Sequence, residues 1–189
     1  MSLPKPRWFL LLWLLAGCTQ KPRGPGLGQI TMRWEGSREG SLSGPATAGW
    51  CSVLRVLEIR SIRGDTGVAL ALHPGETLAM GSYRIVEPAR AESVPPAAGV
   101  AVRWLSQNLV QGFQGDSGRL DLERSSSGGL SGRVHARAHS VVDTQRIVLT
   151  GSFRDLMPAP DSLGCAPADT TEDDPESSDT NEPASTDVD

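Results

Sequence analysis

A strict alternation of apolar and polar residues over the last third of the chain is the feature that most limits its fold. It covers residues 118–124, 130–141 and 146–154, and segments rich in Gly, Ser or Asp separate these stretches. Because successive side chains of a strand point to opposite faces, the pattern predicts a three-stranded antiparallel meander with one buried face. Small residues on the buried face of the middle strand would leave room for bulky neighbours such as Trp104 or Phe153.

Shorter strand signals precede this meander. Residues 29–35 alternate between apolar and polar side chains and predict a half-buried strand. A loop rich in Gly and Ser follows, with a possible short strand around Leu42. Residues 50–63 fit neither the helical nor the strand period cleanly. We favour one bulged strand there, which turns at residues 64–67 into the apolar stretch 68–72 as a hairpin.

Two further strands are expected at residues 77–86 and 99–107. A loop rich in Pro and Ala separates them, because proline cannot donate to a strand ladder. Residues 109–114 either extend the second of these strands or begin the next. About eight to ten short strands and no convincing helix indicate an all-β domain over residues 29–165, either an antiparallel β-sandwich or a small barrel.

The N-terminal segment is organised differently. Lys5 and Arg7 precede an apolar run that begins at Trp8 and ends in Leu15-Ala16-Gly17-Cys18. As a helix, the run would be about 16 Å long, whereas the hydrocarbon core of a bilayer is roughly 30 Å thick. It is therefore too short to span a membrane. A charged start, a short apolar centre and small closing residues describe a secretory signal.

The stretch Leu15-Ala16-Gly17-Cys18 resembles the lipobox of bacterial lipoproteins. The resemblance covers residues 1–19 and implies that the Cys18 sulfur carries a diacylglyceryl group and that residues 1–17 are removed as a signal peptide. An ordinary secretory signal with a coincidental cysteine is the alternative. In this family an Asp after the lipidated cysteine favours retention in the inner membrane. Thr19 occupies that position here, so the resemblance implies the periplasmic face of the outer membrane.

The same resemblance implies that the lipid bilayer is the partner of Cys18. Residues 18–28 would then hold the lipidated cysteine and a flexible tether rich in Gly and Pro. Ten such residues have an r.m.s. reach of roughly 15–20 Å. With Cys18 lipidated, Cys51 and Cys165 remain, and an oxidising periplasm favours a disulfide between them. Two free thiols, or bonds to other chains, are the alternatives.

Charge is distributed unevenly along the chain. Residues 166–189 contain nine acids and no base, whereas residues 24–165 contain 14 Arg and 13 Asp or Glu, a net charge of +1. The tail has almost no apolar side chains to bury, so we predict that it is disordered. It would act as a solubilising segment, or as a loose ligand for Ca²⁺ or basic partners. The near-neutral domain has no basic excess that would indicate nucleic acid.

Three short motifs have ordinary structural explanations. Gly115-Asp116-Ser117-Gly118 matches the nucleophile motif of chymotrypsin-like proteases, but Arg119 follows it, so we predict a turn. His135 and His139 would lie about 13 Å apart on a strand, too far for one metal ion. Arg63-Gly64-Asp65 matches an integrin tripeptide, but a hairpin turn explains its Gly and Asp.

The sequence therefore predicts no catalytic residue, no metal ligand and no cofactor. The leading hypothesis is a membrane-anchored envelope lipoprotein with a non-catalytic β-domain, which binds an unidentified envelope partner or supports envelope structure. The alternative is a lipocalin-like carrier of a small apolar ligand. The order of elements is also similar to that of uncharacterised all-β bacterial lipoproteins, a resemblance that implies no function.

Overall fold

The computed structural model describes residues 27–106, 109–160 and 165, and for Leu27 the backbone alone. Alternating side chains produce strands over most of this length, together with one helical turn. The elements are β1 (Leu27–Gly36), β2 (Gly40–Cys51), β3 (Val56–Arg63), β4 (Thr66–His73), β5 (Gly81–Ile85), α1 (Pro88–Ala91), β6 (Ala97–Ser106), β7 (Leu109–Arg124), β8 (Leu130–Ser140), β9 (Arg146–Leu156) and β10 (Pro158–Pro160).

Among the described residues, nine strands close into a barrel in the order β1-β9-β8-β7-β5-β6-β4-β3-β2, and pairing of β1 with β2 completes the ring. β10 pairs in parallel with β2 beyond the start of β1. Closure pairs the backbone groups that an open sheet would leave exposed at its edges. The all-β prediction is confirmed, and of the two architectures that the sequence left open, the protein adopts the barrel.

Strand β7 is long enough to pair with two different strands along the same edge. Its first part pairs with β6 and its second part with β5, and a bulge against β8 lies between Gly115 and Ser117. A Cβ on Gly115 would lie 2.3 Å from Val100 Cγ1, and a Cβ on Gly118 would lie 2.2 Å from the His135 carbonyl oxygen. Glycine is thus required on both sides of the bulge, where the sheet bends.

Alternate side chains of the barrel strands fill the interior. The largest of them are each less than 2% exposed: Phe113, Phe153, Ile30, Met32, Leu57, Ile59, Leu70, Leu72, Ile85, Leu120, Ile147 and Leu149. A water-sized void would expose the side chains that line it, so exposures this low indicate dense packing. The small residues of β8 make room for bulky ones as predicted, because a Cβ on Gly132 would lie 2.5 Å from Phe153 Cζ.

The predicted meander is confirmed as β7, β8 and β9, with Arg and His on the outer face of β8. The loop rich in Gly and Ser that was expected after residue 35 was wrong, because this segment, with the possible short strand around Leu42, forms the twelve-residue strand β2. Leu42, Ala46 and Ala48 face the interior, and pairing with β1 and β3 holds the strand despite its Gly and Ser content. Non-local pairing here overrides weak local propensity.

Two other expectations also differ from the structure. Residues 50–63 do not form one strand, because a turn at residues 52–55 divides β2 from β3, and Arg55 in that turn has a φ of +49°. The strand expected at residues 77–86 is reduced to β5, and the loop after it contains α1. Ala91 of α1 packs in a small cluster with Val86 and Ala97, which explains a helical turn in a Pro/Ala segment.

The strands define two ends of the barrel. At one end, which we call the rim end, the strands β1, β3, β6 and β8 finish and the strands β2, β4, β7 and β9 begin. The opposite end, which we call the base end, contains the start of β1 and the β2–β3 and β7–β8 turns. The predicted disulfide between Cys51 and Cys165 is present and lies at the base end, on the outer face beside Val56. In the part of the chain described, no helix is long and apolar enough to cross a bilayer.

Candidate functional site

Large apolar side chains lie exposed around the rim end. We call this set the apolar rim, and its members, which are 45–69% exposed, are Ile62, Leu105, Leu109, Val110, Val141 and Val142. They come from the end of β3, the ends of β6 and β7 that face each other, and the segment after β8. Soluble proteins seldom expose several large apolar residues together, so the apolar rim is the candidate binding surface.

Contacts between neighbouring strands hold these side chains in place. Val141 donates its backbone N–H to the Gly112 carbonyl oxygen at 3.0 Å, and its Cγ2 lies 3.2 Å from where a Cβ on Gly112 would be. Leu105 donates its backbone N–H to the Asp65 carbonyl oxygen at 3.2 Å. The rim is therefore built on paired backbone rather than on side chains alone.

A shallow depression of about 170 Å³ opens within the apolar rim. Ile62, Leu105 and Val110 form its apolar walls, the half-buried Trp104 lies in its lining, and Arg103 and the β3–β4 turn complete it. Small-molecule sites usually measure about 300–1,000 Å³. This depression is instead of the size that accepts one apolar side chain from a partner, the arrangement typical of binding hot spots.

Three aromatic rings are stacked at this end of the interior. The ring centroids of Trp34 and Trp104 lie 5.4 Å apart, and those of Trp104 and Phe113 lie 5.2 Å apart, with the planes nearly parallel in both pairs. Aromatic pairs at these separations contribute roughly 0.5–1.5 kcal/mol beyond their burial. The stack holds Trp104 rigidly, so the depression is already formed without a ligand.

Two buried polar atoms at the same end have no hydrogen-bond partner among the described residues: Trp34 Nε1 and Gln111 Oε1. The Trp34 indole is wedged against Gly40, where a Cβ would lie 2.7 Å from Nε1. Each unpaired buried polar atom costs roughly 1–3 kcal/mol. Among the described residues, the buried side-chain polar atoms without a hydrogen bond are therefore both at the rim end, where they lower the stability of the fold.

The residues singled out by the sequence lie elsewhere. Cys18 and the acidic tail fall outside the described residues. Cys51 and Cys165 form the disulfide, with Sγ–Sγ 2.10 Å and Cα–Cα 5.3 Å, at the end of the barrel opposite the rim. Asp65 lies in the tight turn after Gly64, whose φ is +56°, which agrees with the turn explanation of that tripeptide.

The turn predicted for the protease-like motif was wrong, because these four residues lie inside β7, at its bulge. Ser117 Oγ donates to Asp116 Oδ1 at 2.7 Å, while His139 Nδ1 and Arg146 Nη1 lie 3.6 and 3.7 Å from Asp116 Oδ2. In a serine protease the histidine removes the proton from the serine and the aspartate orients that histidine. Here serine and histidine both contact the aspartate, so the geometry does not activate Ser117 as a nucleophile.

The histidines do not converge. His135 and His139 lie on the outer face of β8, and no group of three or more His, Cys, Asp or Glu side chains suited to a metal ion occurs in the described part of the chain. His73 ends β4 on another side of the barrel. Partial burial lowers its pKa below 6.5, although the charges of Glu92 and Glu58 act in the opposite direction.

Sequence reasoning missed the apolar rim. The available signal was two adjacent apolar pairs, Leu109-Val110 and Val141-Val142, which interrupt the alternation at strand ends. Such a pair cannot put both residues on the buried face of a strand. No protein-family model, curated protein or solved structure matches the chain, so function has to be argued from the geometry.

Proposed function

We propose that this protein is a lipid-anchored envelope lipoprotein whose barrel is a non-catalytic binding domain. Its apolar rim binds an apolar side chain of an envelope protein, inserted into the depression beside Trp104. The observation that carries the proposal is the exposed apolar rim around a preformed depression of about 170 Å³. Lipid anchoring rests on the lipobox-like stretch that ends at Cys18.

The positions of the two ends favour a protein partner over the bilayer that would hold the anchor. β1 starts at the base end, and Cys18 precedes Leu27 by nine residues, which as the tether expected from the sequence would span roughly 15–18 Å. β9, with 11 residues, rises about 28 Å along a barrel axis when its tilt is about 40°. A short tether at the base would leave the rim on the side away from the anchored bilayer.

Site-specific photo-crosslinking in the native envelope tests this proposal. A photoreactive residue replaces Val110 or Val142 in the full-length chain, and the matched control carries it at the exposed wall position Thr150. We expect one discrete protein adduct of the same mass from both rim positions and none from the control. Ile62→Ser should reduce adduct formation at both positions, since it removes an apolar wall of the depression.

Three results would contradict the proposal: adducts with lipid alone, adducts with a second copy of this chain alone, or equal adducts from the wall position. The anchor is tested separately. Cys18→Ser should abolish lipid labelling and leave the precursor uncleaved, and normal processing of that variant would refute the anchor without refuting the binding surface.

A lipocalin-like carrier requires an interior that accepts a ligand. The dense packing of the described interior residues favours the docking function over the carrier. A titration with a fluorescent fatty acid separates the two functions. Saturable binding that is unaffected by Ile62→Ser would support the carrier, whereas binding sensitive to Ile62→Ser would place the probe at the rim.

A further inference from the structure

The outer wall of β5, β7 and β8 carries a concentrated positive charge. We call it the arginine face, and its exposed members are Arg84, Arg119, Arg133 and Arg137, with His135 lying among them. The strand register puts Arg84 directly opposite Arg119, and Arg119 directly opposite His135. Arg133 and Arg137 flank His135 at alternate positions on β8, so all these side chains lie on one surface.

Few carboxylates balance this face. Asp121 ion-pairs with Arg119 at 3.3 Å, and within the described residues it is the one carboxylate that forms an ion pair with any of the four arginines. Like charges directly opposite each other on paired strands are destabilising. An anionic partner would reduce the repulsion between these arginines, so the arginine face is suited to bind one.

We propose that the arginine face binds the acidic tail of the same chain, residues 166–189. The tail carries nine acids and no base, whereas residues 24–165 carry a net charge of only +1. The tail and the arginine face thus carry complementary charge. The proposal is independent of the apolar rim and of the lipid anchor.

The length and attachment point of the tail fit this occupant. The tail begins at Cys165, which the disulfide holds beside β2, and β2 is separated from β8 by β1 and β9. The centre of the arginine face lies three strand spacings around the wall from Cys165 and about eight residues along it. These two offsets correspond to a distance of roughly 30 Å. A flexible chain of 24 residues has an r.m.s. reach of about 25–29 Å, and a matched reach gives an effective concentration in the millimolar range.

Carbodiimide coupling of carboxylates to a lysine introduced by substitution tests the proposal on the full-length chain. The natural lysines are Lys5 and Lys21, both ahead of the barrel, so Arg137→Lys keeps the charge and adds an amine at the face. Arg60→Lys is the matched control. It lies on β3, opposite the face around the barrel, only four residues or about 13 Å from Val56, which contacts Cys165.

This control is stringent, because a free tail would meet residue 60 more often than residue 137. Arg60 also contacts Glu58, whose carboxylate would compete with the tail for a lysine at residue 60, so the control chain and the Arg137→Lys chain both carry Glu58→Gln. Peptide mass spectrometry of the monomer should find tail adducts at residue 137 about tenfold above those at residue 60, as expected from three exposed ion pairs of ordinary strength. Salt at 0.5 M should remove this excess.

A second pair of variants keeps the test independent of any one substitution. Arg84→Lys should couple to the tail like Arg137→Lys, and Arg133→Gln in the Arg137→Lys chain should lower the yield. Equal or greater coupling at residue 60 would overturn the proposal and leave a free tail. Tail adducts found only in covalent dimers would also overturn it, because the tail would then bind a second copy.

Discussion

Removal of the disulfide tests how far the barrel depends on its only covalent constraint among the described residues. The sequence separation between Cys51 and Cys165 is 114 residues. In the chain-entropy model, closing a loop of this length restricts the unfolded chain by about 4.8 kcal/mol at 25 °C. This figure is a ceiling, because residual structure in the unfolded chain reduces it, and we expect a measured loss of about 2–4 kcal/mol.

The native barrel should survive this change. The loop closed by the disulfide contains β3 to β10, but the seam between β1 and most of β2 lies outside it and is held by backbone pairing. The variant Cys51→Ala/Cys165→Ala should therefore keep its strand signal in far-ultraviolet circular dichroism. Alanine avoids placing a hydroxyl at two positions that are only 5% and 8% exposed.

Reversible urea unfolding in a Cys18→Ser background measures the effect without a third thiol. The cystine-free variant should unfold at lower urea, with a steeper slope, because its unfolded state exposes more surface. Reduced parent protein is the control and should match it. A loss below about 1 kcal/mol, or a parent whose stability does not change on reduction, would refute the entropic argument.

Two further predictions concern the interior and pH. Gly151→Ala should lower the free energy of unfolding by about 2 kcal/mol or more, since its Cβ would lie 2.3 Å from Met32 Sδ and 2.4 Å from the Thr31 carbonyl oxygen. Gly44→Ala, whose nearest neighbour would be 3.8 Å away, is the control; equal melting temperatures for the two variants would contradict this explanation. The lowered pKa of His73 means that the unfolded state binds more protons below pH 6.5, so stability should fall as the pH decreases from 6.5 towards the folded-state pKa. His73→Gln should flatten this part of the profile in urea midpoints measured from pH 5 to 7.5, and an unchanged slope would assign the effect to other groups.

If the apolar rim is the docking surface, the two ends of the barrel have different roles. The base end carries the disulfide and the start of β1, and the exposed Val53 and Leu54 lie in its β2–β3 turn. The rim end carries the six side chains of the apolar rim and, in the barrel interior, the stacked rings of Trp34, Trp104 and Phe113. The buried Trp34 Nε1, which has no hydrogen-bond partner among the described residues, lies on the rim side as well. Residues important for binding would then be separated in space from residues that hold the fold.

The sequence alone determined the strands whose signal is local. In the second part of β7, residues 118–124, and in β8 and β9 the alternation runs between turn residues, so the meander and its buried face follow from the period-two geometry of a strand. The cysteine pair was also predictable, because setting aside Cys18 leaves only Cys51 and Cys165. The turn at Gly64-Asp65 follows from the residue types that tight hairpins require.

The tertiary structure decided what depends on distant parts of the chain. β2 has weak strand propensity and exists because β1 and β3 pair with it on both sides. The protein forms a barrel rather than a sandwich because β1 pairs with both β2 and β9 and so closes the sheet. No local sequence pattern encodes this closure. The apolar rim arises likewise, because Ile62 and Val110, which are distant in sequence, line one depression only when the ends of β3, β6 and β7 meet at one end of the closed sheet.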